Sequence, residues 1–144
     1  MSTETDKAAI RAIIEAIHKA HHDKDAAAIV APYAEDAAVF SLAPPLSHRG
    51  MDLAEKQAWL DTWQGPIDHG SRDLDISVSG DLAFCHGFFR LGGTPKSAGQ
   101  KISFWMRATV CLRKKAGKWQ IVHEHESVPF YMDESLRAAF DLQP

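Results

Sequence analysis

The hydrophobic pattern of this chain changes its period once, and that change constrains the fold more than any other sequence feature. Up to about Asp68 the apolar residues recur at helical spacing, as in residues 4–22, where isoleucines mark one face of a helix. After that point apolar and polar residues alternate, as in residues 72–79, or form a dense apolar run, as in residues 82–91. Helices followed by a series of strands predict an α+β fold.

Capping and turn signals divide the rest of the chain. Asp52 is suited to cap a third helix because Glu55 stands three residues further on. Gly65-Pro66 is expected to end that helix. The remaining predicted elements are a second helix at 25–33, strands at 37–42, 101–114 and 118–128, and a short C-terminal helix near 133–141.

Length and composition are those of one globular domain. The chain has 144 residues, of which 45% are hydrophobic and 24% charged, and these values exclude a disordered chain. Two cysteines, Cys85 and Cys111, are too few for a disulfide framework. We expect a single domain over residues 1–144, with a core at about 5–130 and a C-terminal tail at 131–144.

Charge and hydropathy argue against several classes of partner. The net charge of −3 lacks the basic excess of a dedicated nucleic-acid-binding protein. No apolar run is long enough to cross a membrane. The acidic, polar N-terminus lacks the basic and apolar regions of a signal peptide, so a cytoplasmic location is expected.

The last hairpin predicts which side chains share a face of the sheet. A three-residue loop at 115–117 needs only Gly117 in the left-handed region, whereas a two-residue turn also needs a positive φ at Ala116. The three-residue loop is therefore expected. It pairs Val110 with Val122, Ala108 with Glu124, Met106 with Glu126, Thr109 with His123, Arg107 with His125 and Trp105 with Ser127.

The two faces of this hairpin differ in polarity. One face combines two glutamates with an apolar row, and we expect it to pack under the helices; it carries Ile102, Phe104, Met106, Ala108, Val110, Leu112, Glu124 and Glu126. The opposite face is mixed and carries Trp105, Arg107, Thr109, His123 and His125. A mixed face with a tryptophan suits a subunit interface, so a homodimer through this outer face is expected. A one-residue slip in register would exchange the two faces.

Two segments of the chain resemble a known superfamily. They are Tyr-Ala-Glu-Asp-Ala-Ala-Val at 33–39 and Gly-Lys-Trp-Gln-Ile-Val-His-Glu-His-Glu-Ser at 117–127. Over roughly residues 5–130 the chain resembles the nuclear-transport-factor-2-like superfamily, especially its SnoaL-like and ketosteroid-isomerase-like bacterial members. The second segment also resembles the association domain of calcium/calmodulin-dependent protein kinase II.

This resemblance implies a particular fold but not a particular activity. The implied architecture is a cone-shaped α+β fold, with three N-terminal helices packed on a strongly curved antiparallel sheet. It further implies a deep pocket between sheet and helices, and usually a homodimer. The fold hosts many activities, so function depends on the residues of the site.

The functional residues of the related families can be compared with this chain position by position. Ketosteroid isomerases carry an aspartate base where this chain has Ser41, and a tyrosine where it has Ile17. Steroid isomerisation by that machinery is therefore not expected. The kinase association domain lines its pocket with arginines; Arg90 matches one, but Val110 and Glu126 stand where two others would be. These differences argue against a pocket tuned for a carboxylate ligand.

Glu124 and Glu126 are the leading candidates for proton transfer. They are two residues apart on one strand, so they share a face at a separation of about 7 Å. In a partly dry pocket two carboxylates repel, and one keeps its proton near neutral pH, which allows general acid–base catalysis. The alternative is that both reach solvent at the end of the strand, or pair with Arg90 or Arg107.

Strand 82–91 supplies three further candidates, His86, Phe88 and Arg90, which share one face. If that face is concave, His86 is a base near neutral pH and Arg90 an anion clamp. Otherwise they are a structural histidine and a salt-bridged arginine. The other candidate ligand contacts are Trp59, Trp63, Tyr33, Phe104 and Met106, and the alternative for both tryptophans is a place in the core.

Histidines elsewhere in the chain suggest other roles. His123 and His125 have the spacing of two metal ligands on a strand, but spacing fixes no third ligand and the register directs both to the interface. No metal site is therefore predicted, and no cofactor either, since the chain lacks a glycine-rich phosphate loop. His18, His21 and His22 are interpreted as the polar end of the first helix, and His48 and Arg49 as a solvated loop or a gate at the pocket mouth.

Two kinds of function fit these residues. The first is binding of a small organic molecule in a deep, partly apolar pocket, with Glu124, Glu126 and His86 carrying out a cofactor-free isomerisation, cyclisation, dehydration or hydrolysis. The second is a non-catalytic oligomerisation or ligand-sensing module like the kinase association domain. In both cases the expected partners are a small molecule and a second copy of the chain, rather than nucleic acid or a membrane.

Overall fold

A computed structural model of the chain describes residues 2–144. Within this range the chain forms three helices, α1 (Thr3–His22), α2 (Ala26–Val30) and α3 (Leu53–Leu60). It also forms six strands, β1 (Tyr33–Phe40), β2 (His48–Arg49), β3 (Trp63–Ser79), β4 (Leu82–Pro95), β5 (Ile102–Lys115) and β6 (Lys118–Ser127). None of the helices in the described residues is long and apolar enough to cross a membrane. The α+β class is confirmed.

All six strands belong to one sheet, in the order β2-β1-β6-β5-β4-β3. Strand β1 runs parallel to β6, while every other neighbouring pair is antiparallel. The sheet is therefore mixed: the predicted antiparallel pairing is observed for four of the five neighbouring pairs, and it was wrong for β1 and β6. Strand β1 reaches β6 through a long crossover rather than a hairpin, and crossovers are the connections that permit parallel pairing.

Helix α1 supplies much of the cover over the sheet. Ser2 caps it by accepting a hydrogen bond from the Thr5 N–H, and it packs on β3. Its isoleucines at 10, 14 and 17 are buried, as the helical spacing predicted. The start of α3 was also predicted correctly, since the Asp52 side chain accepts from the Glu55 N–H.

Several predicted boundaries were wrong. Helix α3 ends at Leu60 rather than at Gly65-Pro66, and Trp63 already belongs to β3. Helix α2 is shorter than predicted, so β1 begins at Tyr33. No helix forms at 133–141; there Phe130 bridges to Ala138, and Asp133 accepts hydrogen bonds from the Ser135 N–H and hydroxyl. Such local side-chain bonds compete with helix formation.

The final hairpin differs from the prediction at its tip. Lys115 pairs with Lys118, so the turn has two residues, and both Ala116 and Gly117 have positive φ angles of 51° and 78°. Below the turn, a bulge in β6 at Val122 shifts the register. Ala108 therefore lies opposite Glu126 instead of Glu124.

The predicted pairing was wrong by two residues, yet the predicted faces survive. An even shift keeps each side chain on its own side of the sheet. Glu124 pairs with Val110 and Glu126 with Ala108, beneath the helices. The inner face also carries most of the buried core, including Cys85, Phe89, Met106, Leu112 and Ile121.

Candidate active site

A chamber lies between the inner face of the sheet and the helices, with a volume of about 260 Å³. Most of its walls are apolar, and these include Ile17, Ile29, Met51, Trp59, Phe89, Leu91 and Met106. Its polar groups include His21, Tyr33, Lys56, His69, Glu124 and Glu126. An apolar cavity with a few convergent polar groups is the usual form of a small-molecule site.

Glu124 is the more buried of the two glutamates. Only 8% of its surface is exposed, and burial raises the pKa of its carboxyl. The hydroxyl of Tyr33 donates a hydrogen bond to Glu124 Oε1 at 2.8 Å, which favours the charged form. Tyr33, at the start of β1, is itself buried, so its pKa lies well above the usual value. The hydroxyl therefore remains a donor that fixes the orientation of the carboxyl.

Glu126 lies one pleat further along β6 and is half-buried. Burial, together with the neighbouring Glu124, raises its pKa to about 8. Glu126 also borders two further cavities. One is a groove beneath the loop at 41–47, and the other is a side opening between strands β1–β2 and helix α3. A carboxyl that holds its proton at neutral pH thus borders both the chamber and the openings beside it.

Lys56 enters the chamber from α3. Its Nζ lies 5.0 Å from the centre of the Trp59 ring, one helical turn away. Burial lowers the pKa of this amine, while the charges of Glu124 and Glu126 act in the opposite direction. Lys56 also lines the side opening, together with His48, Asp52 and Glu55.

A cluster of three histidines, called here the histidine wall, borders the chamber: His21 and His69 line it, and His18 lies behind them. The Nδ1 atoms of His18 and His69 are 2.7 Å apart, so one ring donates to the other. His21 stacks on His69, with ring centres 3.9 Å apart, and its Nδ1–H donates to the Ile17 carbonyl. Burial lowers the pKa of His18 and His21 to about 4 and that of His69 well below its usual value. This wall is therefore neutral at physiological pH.

Sequence reasoning missed this histidine wall and Lys56. His18 and His21 were interpreted as a polar helix end, but both are buried, and only His22 of that group is exposed. His69 was not a candidate because β3 was predicted to begin at 72. Its alternation with the buried Ile67 is the signal that would have placed it on the inner face.

The candidates from β4 lie on the wrong face for a role in the chamber. Cys85 and Phe89 point inward, so His86, Phe88 and Arg90 point outward. Arg90 donates two hydrogen bonds of 2.9 Å to the Asp68 carboxylate. Its guanidinium carbon also lies 5.5 Å from the Trp105 ring centre. The alternative interpretation, a salt-bridged arginine, is the one observed.

Two further candidates support the chamber without lining it. Trp63 is buried, with its ring centre 5.7 Å from that of Trp59. Phe104 packs against Phe140 of the C-terminal tail, at 4.6 Å between ring centres. Trp59, Tyr33 and Met106 do line the chamber. The two positions inferred from ketosteroid isomerases, Ser41 and Ile17, line it as well, although their side chains cannot serve as base and phenol.

The outer face of the sheet carries the five residues expected at a subunit interface: Trp105, Arg107, Thr109, His123 and His125. The Arg107 Nε–H donates to Ser127 Oγ at 3.1 Å, and the His123 Nδ1–H donates to the Ala38 carbonyl at 2.7 Å. Phe40 lies against the rings of both His123 and His125. Neither Arg107 nor Arg90 pairs with the glutamates of the chamber.

The SnoaL-like domain family matches residues 10–131, and the chain therefore belongs to that family. A nuclear-transport-factor-2-like protein of unknown function from Pseudomonas putida KT2440 is 36% identical, with a TM-score of 0.85. The match covers 100% of this chain and 99% of that one.

Two more distant structures share the fold alone. One, from Xanthomonas campestris, is provisionally described as a calcium/calmodulin-dependent protein kinase II association domain; it is 18% identical, covers 82% of this chain and 84% of its own, and has a TM-score of 0.69. The other, from Novosphingobium aromaticivorans, is provisionally described as an aromatic ring hydroxylase; it is 17% identical, covers 88% and 91%, and has a TM-score of 0.72. A search of curated proteins gives no match.

Proposed function

We propose that this chain binds a small, partly apolar organic molecule in the chamber and changes it by proton transfer, without a cofactor. The observation that supports this proposal is the pair Glu124 and Glu126 on one wall of a mostly apolar chamber. Isomerisation, cyclisation, dehydration and hydrolysis all involve proton transfers that a positioned acid and a positioned base accelerate. Two carboxyls in unlike environments provide that combination.

The surroundings of the two carboxyls suggest a division of roles. Glu126 keeps its proton at neutral pH because its pKa is about 8, so it is the general acid that protonates a carbonyl or hydroxyl oxygen of the ligand. Burial raises the pKa of Glu124, but the hydrogen bond from Tyr33 opposes this effect, and Glu126 has no such donor among residues 2–144; Glu124 is therefore assigned as the general base. His86 has no part in this chemistry, since it lies on the outer face.

The other residues that line the chamber are assigned to ligand binding rather than to proton transfer. Trp59, Phe89 and Met106 offer apolar and aromatic surface for the carbon skeleton of the ligand. The neutral histidine wall offers ring nitrogens for hydrogen bonds without a fixed positive charge. This environment favours a neutral molecule over a carboxylate, in agreement with the loss of two arginine positions relative to the kinase association domain.

The direct experiment is native mass spectrometry of untagged, gently purified protein. We expect a small organic adduct on the wild-type protein and a weaker one on Glu126→Gln. The matched control is Glu15→Gln, at an exposed position of α1, which should retain the adduct. An adduct of equal intensity on the wild type and on Glu126→Gln would exclude Glu126 from the site.

An assembly role is the second candidate, favoured by apolar residues on the outer face. Phe84 is 48% exposed and Phe40 is 37% exposed. Both lie on the same outer face of the sheet as Trp105. Exposed aromatic groups of this kind are common in subunit interfaces. We propose that two copies of the chain pair through this face. Native mass spectrometry should give twice 15.9 kDa for the wild type and 15.9 kDa for Thr109→Glu, which places a charge at the centre of the face.

A further inference from the structure

Lys56 differs from the other lysines that the structure holds in place. Lys19 and Lys114 each contact a carboxylate, and the Lys24 Nζ donates to the Trp63 carbonyl. For Lys56, no carboxylate oxygen of residues 2–144 lies within 4.0 Å of Nζ. Its amine instead lies over the Trp59 ring, on the wall of the chamber. The Trp59 ring face favours the charged form of this amine, but no carboxylate of the described residues contacts it directly.

The titratable groups that line the same two cavities as this amine come from six elements. They are Glu124 and Glu126 on β6, Tyr33 on β1, His48 on β2, His21 on α1, His69 on β3, and Asp52 and Glu55 on α3. His21 and His69 are neutral at physiological pH, and Glu126 keeps its proton. Burial therefore outweighs the attraction of the acidic groups, and the pKa of Lys56 falls below its usual value. A larger fraction of this lysine is then a neutral, nucleophilic amine.

We propose that Lys56 forms an imine with the carbonyl group of an aldehyde or ketone bound in the chamber, with Glu126 as the proton donor. The inference rests on the proposed function, because it requires the chamber to bind a small organic molecule. It adds a substrate class, an apolar or aromatic carbonyl compound, and a third catalytic residue, which sequence reasoning did not consider.

The reaction balances without any group from outside the chamber. The Lys56 nitrogen attacks the carbonyl carbon and forms a C–N bond, while Glu126 gives its proton to the carbonyl oxygen and takes one back from nitrogen. Glu126 then protonates the hydroxyl, which leaves as water, and the nitrogen lone pair forms the C=N bond. The products are a protonated imine, a Glu126 carboxylate and one water molecule.

The size and walls of the chamber favour a compact ring or short chain. A volume of about 260 Å³ leaves room for a molecule of the size of a substituted benzene ring. Trp59 and Phe89 provide aromatic surface, and no arginine lines the chamber among the described residues. Benzaldehyde is therefore a suitable probe.

The test is reductive trapping. The protein is incubated with benzaldehyde and cyanoborohydride at pH 7, where the reductant converts an imine into a stable benzylamine, and labelled lysines are located by peptide mapping. We expect Lys56 to be labelled several-fold faster than the exposed Lys96 and Lys101, because burial lowers the pKa of Lys56 and the chamber holds benzaldehyde beside its amine. Labelling of Lys56 no faster than that of Lys96 and Lys101 overturns the proposal.

Two variants test the roles of the individual groups. Lys56→Arg should lose the fast label while Lys96 and Lys101 react as before. Glu126→Gln should slow labelling at Lys56 several-fold and leave the two exposed lysines unchanged; equal rates at Lys56 in wild type and Glu126→Gln would contradict the role of Glu126.

This experiment can fail independently of the proposed function. If the native adduct depends on Glu126 but Lys56 is not labelled preferentially, the imine is wrong and acid–base chemistry stands. If Lys56 is labelled preferentially although no adduct depends on Glu126, the chamber binds carbonyl compounds and the acid–base assignment is wrong.

Discussion

The two ends of helix α1 differ in the state of their buried polar groups, which are charged and paired at one end and neutral at the other. Near its N-terminus, Asp6 accepts hydrogen bonds from Lys114 Nζ at 2.8 Å and from Trp119 Nε1 at 3.0 Å, and these partners lower the pKa of its carboxyl. Near its C-terminus, His21 lines the chamber, and the buried His18 lies behind it against His69. Both have a lowered pKa because of burial, and His18 Nε2 has no hydrogen-bond partner among the described residues.

This difference separates a structural cluster from a candidate functional one. Where a buried charge has partners, as Asp6 does, the groups stay ionised and tie the helix to the last hairpin. Where partners are lacking, as around Glu126 and Lys56, burial shifts the pKa values towards the neutral forms, at a cost in stability. Groups of the second kind are characteristic of active sites.

The largest effect is expected at the N-terminal end. Asp6→Ala leaves Lys114, whose side chain is only 16% exposed, without its partner, and also removes the acceptor of the Trp119 N–H. Removal of one member of a buried pair strongly destabilises a protein, so Tm should fall by on the order of 10 °C. Thermal unfolding followed by circular dichroism measures this. Lys7→Met, which removes an exposed contact with Glu4, is the control and should leave Tm nearly unchanged.

In the chamber beside the C-terminal end of α1, Glu126→Gln should increase stability in alkaline solution. Because the folded-state pKa of Glu126 is raised from 4.5 to about 8, folding favours its protonated form. Its contribution to the free energy of unfolding is complete below pH 4.5 and is lost as the pH rises through 8. Between these pH values the free energy of unfolding of the variant should therefore rise relative to that of the wild type, by about 3 kcal/mol after allowance for solvent screening. Urea unfolding at a series of pH values gives the difference, and parallel curves would contradict the account.

The histidine wall should destabilise the protein in acid. The pKa of His21 is lowered from 6.5 to about 4, so the unfolded chain binds its proton more readily than the folded one. The contribution of His21 to the free energy of unfolding is therefore fully present above pH 6.5 and is lost as the pH falls to about 4. His21→Phe should reduce this loss by about 2 kcal/mol. His22→Phe, at the exposed neighbouring position, should leave the loss unchanged in the same unfolding series.

The smallest effect is expected on the outer face. Arg90→Met removes the ion pair with Asp68, whose members are 35% and 49% exposed. Exposed pairs contribute less than about 1 kcal/mol, so the free energy of unfolding should change little. Because the guanidinium lies outside the chamber, the native adduct should also persist. Loss of the adduct in Arg90→Met would place this residue at the site after all.

The last hairpin shows how much of the fold could be predicted from the sequence. The apolar row from Met106 to Leu112 identifies the inner face, because only that face can pack under helices. The turn could not be predicted from the cost of a positive φ at Ala116, which this chain accepts. The bulge at Val122 then brings the total shift to two residues, and so Glu124 and Glu126 lie where the pattern placed them.

Strand β4 shows where the same reasoning fails. It carries large apolar side chains on both faces, Phe84 and Phe88 outward and Cys85 and Phe89 inward, so alternation alone does not identify the inner face. Lys56 was missed for a different reason. Lysines on short helices are usually solvated, and only its position three residues before Trp59 indicates that it shares the face that reaches the chamber.

The central claim is that Glu126 holds a proton at neutral pH inside the chamber, and infrared spectroscopy tests it most directly. A protonated carboxyl has a C=O stretching band that is separate from those of carboxylates and amides. We predict that this band persists at pH 7 in the wild type, disappears with a midpoint of about 8, and is absent from Glu126→Gln. A wild-type protein with no protonated carboxyl above pH 6 would contradict the proposed acid and the mechanism built on it.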